Sequence, residues 1–247
     1  MKNQYTGDVG DYGKYGLLRF LKDSGIEIGV NWYLTPDDGT TDGKYVEYLR
    51  DDRMRIYDPE VFDAMKRIAF QKGKSIALVE QEGFLEGVCF YNQIMDLTGL
   101  LWRERANARQ AWHEGAMQAL QNASLVFADP DNGLSVRQKP TMKYAQKFIL
   151  PSEIVDYYTR GQQVMYYHHR SRADAGKWMQ EKRQILSFLP DARLLAVSFH
   201  RWSSRTYIFV VHEEQYAFYA RILSDFLCTA WGAHTIDGRK AYSAEAI

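Results

Sequence analysis

Short apolar runs alternate with stretches of helical period along this chain. Residues 14–22 (KYGLLRFLK) predict a short amphipathic helix. Residues 28–34 (IGVNWYL) form an apolar run with Asn31 as its one polar member, and predict a buried strand that Thr35-Pro36 ends. Pro59-Glu60 opens a helix with Val61, Phe62, Met65, Ile68 and Ala69 on one face. Residues 75–79 (SIALV) predict a second buried strand, and residues 84–121 read as mainly helical with a break near Thr98-Gly99. Residues 124–128 (SLVFA) predict a third strand, closed by the turn-forming DPDNG of 129–133. A helix over 153–159 ends at Gly161, residues 164–167 (VMYY) predict a fourth strand, and a helix covers 178–189. Residues 194–199 and 207–211 flank Trp202-Ser203-Ser204-Arg205 as an antiparallel hairpin, and a long helix over 216–231 follows.

Apolar strands alternating with helices imply an α/β fold: three layers, Rossmann-like, around a mostly parallel sheet with an antiparallel edge hairpin near the C-terminus. The simplest organisation is one α/β domain over residues 1–247, with 84–121 as a candidate helical insertion. A chain of 247 residues buries a sufficient core without staples, and two cysteines, Cys89 and Cys228, exclude a disulfide scaffold or a structural zinc site. No window reaches the apolar length of a membrane span, and the N-terminal residues lack a signal-peptide apolar run. With free cysteines, this points to the cytoplasm.

The formal net charge of zero hides a segregation. Residues 1–136 hold 15 Lys+Arg against 21 Asp+Glu, whereas residues 137–205 hold 13 against 5. That basic window carries ten aromatic residues, among them Tyr144, Tyr167, Trp178 and Trp202. Basic side chains neutralise phosphates and aromatic faces stack on unpaired bases, so DNA or RNA is an expected partner; a solvated charged face over core aromatics is the alternative. Lys143, Tyr144, Arg170 and Arg172 are the candidate substrate contacts.

Ligands of open α/β sheets bind beyond the carboxyl ends of the strands. There the reading places Asp37, Asp38, Asp42 and Lys44 after the first strand, and Glu80 and Glu82 after the second. Asp129, Asp131 and Asn132 follow the third, His168, His169, Arg170 and Arg172 the fourth, and His200 and Arg201 the fifth. DDGTTDG and DPDNG also make good turns without any chemistry. His168 and His169 are candidates for a phosphate clamp, a metal ligand or a general base, and only one of the two can face the site if the strand extends through both.

This order of features resembles the class I S-adenosylmethionine-dependent methyltransferases, in particular the adenine-N6 group acting on DNA or ribosomal RNA. The resembling elements are the Lys-containing segment Asp11–Leu18, the strand IGVNWYL with its loop TPDDGTTDG, and SLVFA followed by Asp129-Pro130. The resemblance implies that Lys14, Thr35, Asp37, Asp38, Gly39 and one of Glu80 and Glu82 hold S-adenosylmethionine, the glutamate at the ribose. It also implies that Asp129 and Asn132 orient a target amine. Asp131 and Asn132 stand where that group has a second proline and an aromatic.

A second expectation is a nuclease or other phosphoesterase using Mg²⁺ or Mn²⁺. Asp37, Asp38, Asp42, Asp129 and Asp131 would supply hard oxygen ligands and His168 or His169 a base. Asp129-Pro130-Asp131 also matches the Asp-x-Asp element of nucleotide-sugar glycosyltransferases, and a non-enzymatic binding module is a further alternative.

Overall fold

The computed structural model describes residues 1–39, 43, 45–72, 74–169, 174–202 and 204–247, with Gln71 and Lys72 described by backbone alone. Nine strands are described: β1 Ile28–Asn31, β2 Cys89–Tyr91, β3 Leu125–Ala128, β4 Gln163–His169, β5 Arg193–Phe199, β6 Arg205–Val211, β7 Thr235–Ile236, β8 Arg239–Lys240 and β9 Tyr242–Ala244. The helices are α1 Val9–Asp23, α2 Pro59–Arg67, α3 Ile76–Glu80, α4 Trp102–Ala119, α5 Pro151–Thr159, α6 Ala175–Arg183, α7 Glu213–Cys228 and α8 Ala230–Ala233. Seven strands form one sheet in the order β2-β1-β3-β4-β6-β5-β9, and β7-β8 is a separate antiparallel pair. β2, β1, β3 and β4 pair in parallel, while β6 runs antiparallel between β4 and β5. The fold is therefore mixed α/β around a mostly parallel sheet.

Strand alternation sorts the core into two layers. Leu125 and Phe127 of β3 pack with α1, α2 and α7 on one face, whereas Val126 and Ala128 pack with α4 and α5 on the other. Pro59 sits in the first turn of α2 with Asp58 as its cap, accepting from Val61 N at 3.1 Å. Glu104 and Glu153 each fold back onto the backbone N–H three residues earlier, of Leu101 and Leu150, and start α4 and α5.

Several expectations change. Residues 75–79 are not a strand: Ser75 caps α3 by accepting from Ala77 N, and Ile76 and Val79 share its buried side. A five-residue apolar run fits either period, and here the cap decides. The second strand is β2, inside the stretch read as helical, and it pairs with β1 as Gly29 opposite Cys89. β1 stops at Asn31 rather than Leu34 because Tyr33 adopts φ 45°, where a strand cannot continue. The hairpin β5–β6 is not the sheet edge: β9 pairs Val197–Phe199 with Tyr242–Ala244 and covers it. The helix expected over 178–189 starts earlier, as α6, and gives way to a 3₁₀ turn at Gln184–Ser187. The final helix breaks at Thr229, which caps the short α8.

What brings α1 close to the sheet is glycine at every third position, which the apolar pattern did not single out. A Cβ on Gly10 would lie 2.2 Å from Arg205 Cζ, on Gly13 2.7 Å from the Phe199 ring, and on Gly16 2.1 Å from Trp231 Cζ2. These contacts leave no room for a methyl group. Gly13→Ala is expected to lower stability by about 1–3 kcal/mol through overpacking. Gly83→Ala, whose Cβ meets nothing within 4 Å, should stay within about 0.5 kcal/mol of wild type. Urea unfolding of both variants checks this, and equal stabilities would contradict the packing assigned to α1.

Candidate active site

At the carboxyl ends of β3 and β4 lies a pocket of about 370 Å³, within the size range of small-molecule sites. α1 forms one wall with Asp8, Gly10, Asp11 and Lys14. The turn after β3 gives Asp129, Pro130, Asp131 and Asn132. β4 contributes Tyr167 and His169, and antiparallel β6 brings Arg205 and Tyr207 to the same end. Met1, Tyr5, Tyr45 and Lys147 complete the rim with Gly43.

Its floor is a buried ionic group. Lys14 Nζ donates to Asp129 Oδ2 at 2.6 Å and to Asp11 Oδ1 at 2.7 Å, and both side chains and Lys14 are nearly sealed from solvent. Asp11 Oδ2 also accepts from Gly7 N at 3.0 Å. One cation thus serves two carboxylates 118 residues apart in sequence. Burial pushes the Asp11 carboxyl up to about 6 although Lys14 pulls it down. Burial also works against the Lys14 ammonium, but Asp11 and Asp129 outweigh it and hold its pKa well above the ordinary lysine range.

Around this group the remaining charges alternate in sign. Asp8 caps α1, accepting from Gly10 N and Asp11 N, and its Oδ2 lies 3.2 Å from Arg205 Nη2. The Met1 amino group donates to Tyr33 O and Asp129 O and lies 2.9 Å from Asp131 Oδ1. Four buried atoms of the pocket lining, Arg205 Nη1, Tyr207 Oη and both Asp131 carboxylate oxygens, make no hydrogen bond among the described residues, and of these Asp131 Oδ1 is held by the Met1 ion pair. Buried polar groups are normally satisfied, so Arg205 Nη1, Tyr207 Oη and Asp131 Oδ2 mark places where a ligand's polar atoms fit. Asn132 is fixed from behind, its N–H donating to Lys147 O at 2.9 Å.

The adjacent histidines separate, as alternation along a strand requires. His169 lines the pocket, with Nδ1 3.1 Å from Tyr167 Oη; burial and then Arg205 lower its pKa, so its imidazole is neutral near pH 7. His168 points to the other side, accepts from Leu134 N at 3.1 Å and stacks on Trp178 at 5.4 Å. It does not line the pocket. Burial, then His169 and Lys182, hold its pKa down at about 4.

Other expected residues stand elsewhere. Glu80 accepts from Trp32 Nε1 at 2.8 Å and from Asn92 Nδ2 at 2.9 Å, and Glu82 pairs with Arg67 at 2.6 Å; both lie outside the pocket because residues 75–80 are helix, not strand. Thr35 N donates to Met1 O, Asp37 accepts from Gln4 N, and Asp38 pairs with Lys2. The loop Thr35–Gly39 thus packs on the N-terminal residues, with Gly39 at φ 68°. Lys143 and Tyr144 are exposed and outside the pocket. Asp42, Lys44, Arg170 and Arg172 lie outside the described residues. Among the described residues no three His, Cys, Asp or Glu side chains come together as a group that could hold a metal ion. No described helix is long and apolar enough to cross a membrane. Of the ten aromatics in the basic window, Tyr144, Phe188 and Trp202 are exposed, whereas Tyr157, Tyr166, Trp178 and Phe199 are core.

Asp8, Asp11, Lys147, Tyr167, Arg205 and Tyr207 were not singled out as site residues from the sequence. Asp8, Asp11 and Lys14 sit within the three-residue glycine repeat at positions 7, 10, 13 and 16, which is the signal that marks their segment.

Lys14→Met leaves two buried carboxylates uncompensated and is expected to cost about 3–5 kcal/mol, with part of the loss recovered in Lys14→Met/Asp129→Asn. Thermal unfolding of the single and double variants measures this; a single variant as stable as wild type would contradict the buried pairing. His168 generates a pH dependence. Its folded pKa, about 4, lies below the ordinary 6.5. Its contribution is therefore complete above pH 6.5 and declines as pH falls through 4, by roughly 1.4 kcal/mol per pH unit at most. Urea titrations between pH 7 and 4 should show this decline flattened in His168→Gln, and an unchanged slope would contradict it.

No family model matches the chain, and no curated protein matches it. A crystal structure of protein LPL1258 from Legionella pneumophila, described by the family model DUF519, is similar at a TM-score of 0.49 and 12% identity, covering 98% of this chain and 97% of that one. A likeness at that level assigns neither a family nor an activity to this chain.

Proposed function

We propose that this chain is a class I methyltransferase-like enzyme with a Rossmann-like sheet, which binds S-adenosylmethionine in the pocket and transfers its methyl group to an amino group of a nucleic-acid base. The supporting observation is the Lys14–Asp129 contact, made where the sheet order β2-β1-β3-β4-β6-β5 places the tip of β3 against the helix preceding β1. In that order β1 lies between β2 and β3, so the chain leaves it to opposite sides, which opens a crevice beyond the carboxyl ends of β1 and β3. The reversed strand β6 lies between β4 and β5 and supplies Arg205 and Tyr207.

The residues present fit the group. S-adenosylmethionine is zwitterionic at its amino-acid end and cationic at sulfur, and the lining offers both signs at close quarters. Lys14 and Arg205 would hold its carboxylate, and Asp131, with its open Oδ2, its amine. When bound it supplies an electrophilic methyl group on a sulfonium. Asp129 and Asn132 would orient the accepting amine, and His169, neutral near pH 7, would take the proton released as the nitrogen gains carbon. Two of the carboxylates a divalent ion would need are engaged differently: Asp129 is neutralised by Lys14, and Asp37 is turned to Gln4.

Calorimetry with S-adenosylmethionine tests the reading. Wild type is expected to bind, with Asp131→Asn at least about tenfold weaker, the loss of one charge-assisted hydrogen bond. Asn132→Ala should bind within about twofold yet lose roughly 10²-fold in transfer of labelled methyl to bulk RNA or DNA. No heat at millimolar ligand would contradict it.

A further inference from the structure

Next to the pocket, on the side of the turn that follows β3, the surface carries an exposed apolar and cationic patch that meets the site at Lys147. Trp102 is 68% exposed, Tyr144 61%, Leu101 53% and Met142 40%. Two segments far apart in sequence are joined there. Arg105 Nη1 donates to Thr141 O at 3.2 Å and its Nε to Leu97 O at 3.1 Å. One turn further, Arg109 donates to Ala145 O and Phe148 O, both at 2.7 Å. Trp102, Arg105 and Arg109 follow i, i+3, i+7 spacing, so Trp102 stands on the side of α4 that holds the 141–148 loop. Arg109 is itself locked by Glu153, at 2.7 and 2.9 Å, which fixes the loop rigidly to α4 and α5.

The loop half of this patch carries charge of one sign, while Glu104 at the start of α4 is tied to Leu101 N. Residues 136–147 hold Arg137, Lys139, Lys143 and Lys147 and no acidic residue. Lys143 Nζ lies 5.7 Å from the Tyr144 ring centroid, and Lys147 lines the pocket. Exposed rings beside a run of cations, continuous with a site through the same short loop, suit a chain of phosphates with unpaired bases. A buried apolar partner would gain nothing from the cations.

We infer that single-stranded nucleic acid lies across the α4 start and the 136–147 loop, with bases stacked on Trp102 and Tyr144 and phosphates along Lys139, Lys143 and Lys147, leading one base into the pocket. This rests on the methyl-transfer reading for the last clause and on the surface alone for the rest. Trp102 belongs to the acidic half of the chain, so the surface differs from the basic window seen in the sequence.

The test is fluorescence anisotropy of labelled 12-nucleotide single strands, RNA and DNA in separate arms, against the full chain, with S-adenosylmethionine calorimetry on the same proteins. Trp102→Ala and Tyr144→Ala are each expected to weaken binding about tenfold or more, the loss of one stacked base. Lys143→Ala should lower the slope of log affinity against log salt by about 0.7. None of the three should change cofactor binding or melting temperature. Strand binding indifferent to both aromatic variants overturns the surface and leaves the methyl-transfer reading standing. Strand binding lost in both variants, with no cofactor bound even by wild type, upholds the surface and overturns that reading. Absent strand binding with a concentration-dependent dimer that Trp102→Ala abolishes overturns the inference in favour of a second copy of this chain.

Discussion

The Lys14 ammonium held between Asp11 and Asp129 organises this molecule. Three charges removed from water in one place are costly, and the arrangement persists only where geometry is close and the remaining lone pairs find donors. Here Gly7 N serves the far oxygen of Asp11. The contact ties the first helix to the tip of the third strand across more than a hundred residues. It needs α1 to lie nearly against the sheet. Gly10, Gly13 and Gly16 make that approach possible, because any side chain there would meet Arg205, Phe199 or Trp231.

The second condition is the reversal of β6. A hairpin that returns between β4 and β5 brings its first residues to the carboxyl ends of the parallel strands. Arg205 and Tyr207 therefore arrive opposite Asp8 and Asp129, and the pocket acquires charges of both signs on rigid elements. Tyr33 shows how firmly this region is held. It keeps φ 45° while Asn31 Oδ1 accepts from its N–H and its hydroxyl donates to Glu153. Glu153 also receives Arg109, so the other face of the sheet braces the turn that carries Asn132.

Much of the fold was legible in the chain because long apolar segments at strand and helix period have few solutions. β1, β3, β4 and the β5–β6 hairpin lie where the pattern puts them. The errors fall on short segments: SIALV suits a helix as well as a strand, and only the Ser75 cap decides. β2 is three residues on an edge with Cys89 exposed, too short and too polar in context to show period two. β9 depends on an open strand edge that no local pattern reveals. Of the candidate site residues, Lys14, Asp129, Asp131, Asn132 and His169 meet in one pocket. Asp11, which pairs with Lys14, and Arg205, which pairs with Asp8, escaped notice, since a carboxylate in a helix and an arginine in a hairpin look like solvated charges until the fold buries them. The glutamates assigned to a ribose lost their place with the strand that was to carry them.

Charge segregation along the chain also changes meaning. The acidic half carries the described carboxylates of the pocket, Asp8, Asp11, Asp129 and Asp131, yet each has a cation close by, namely Lys14, Arg205 or the Met1 amino group. The most direct measurement is a crystal structure of the chain with S-adenosylhomocysteine at saturating concentration. The account predicts the ligand in the pocket, its carboxylate within hydrogen-bond distance of Lys14 or Arg205 and its amine at Asp131. A pocket without ligand at saturation, or ligand bound elsewhere with Lys14–Asp129 undisturbed, would contradict it.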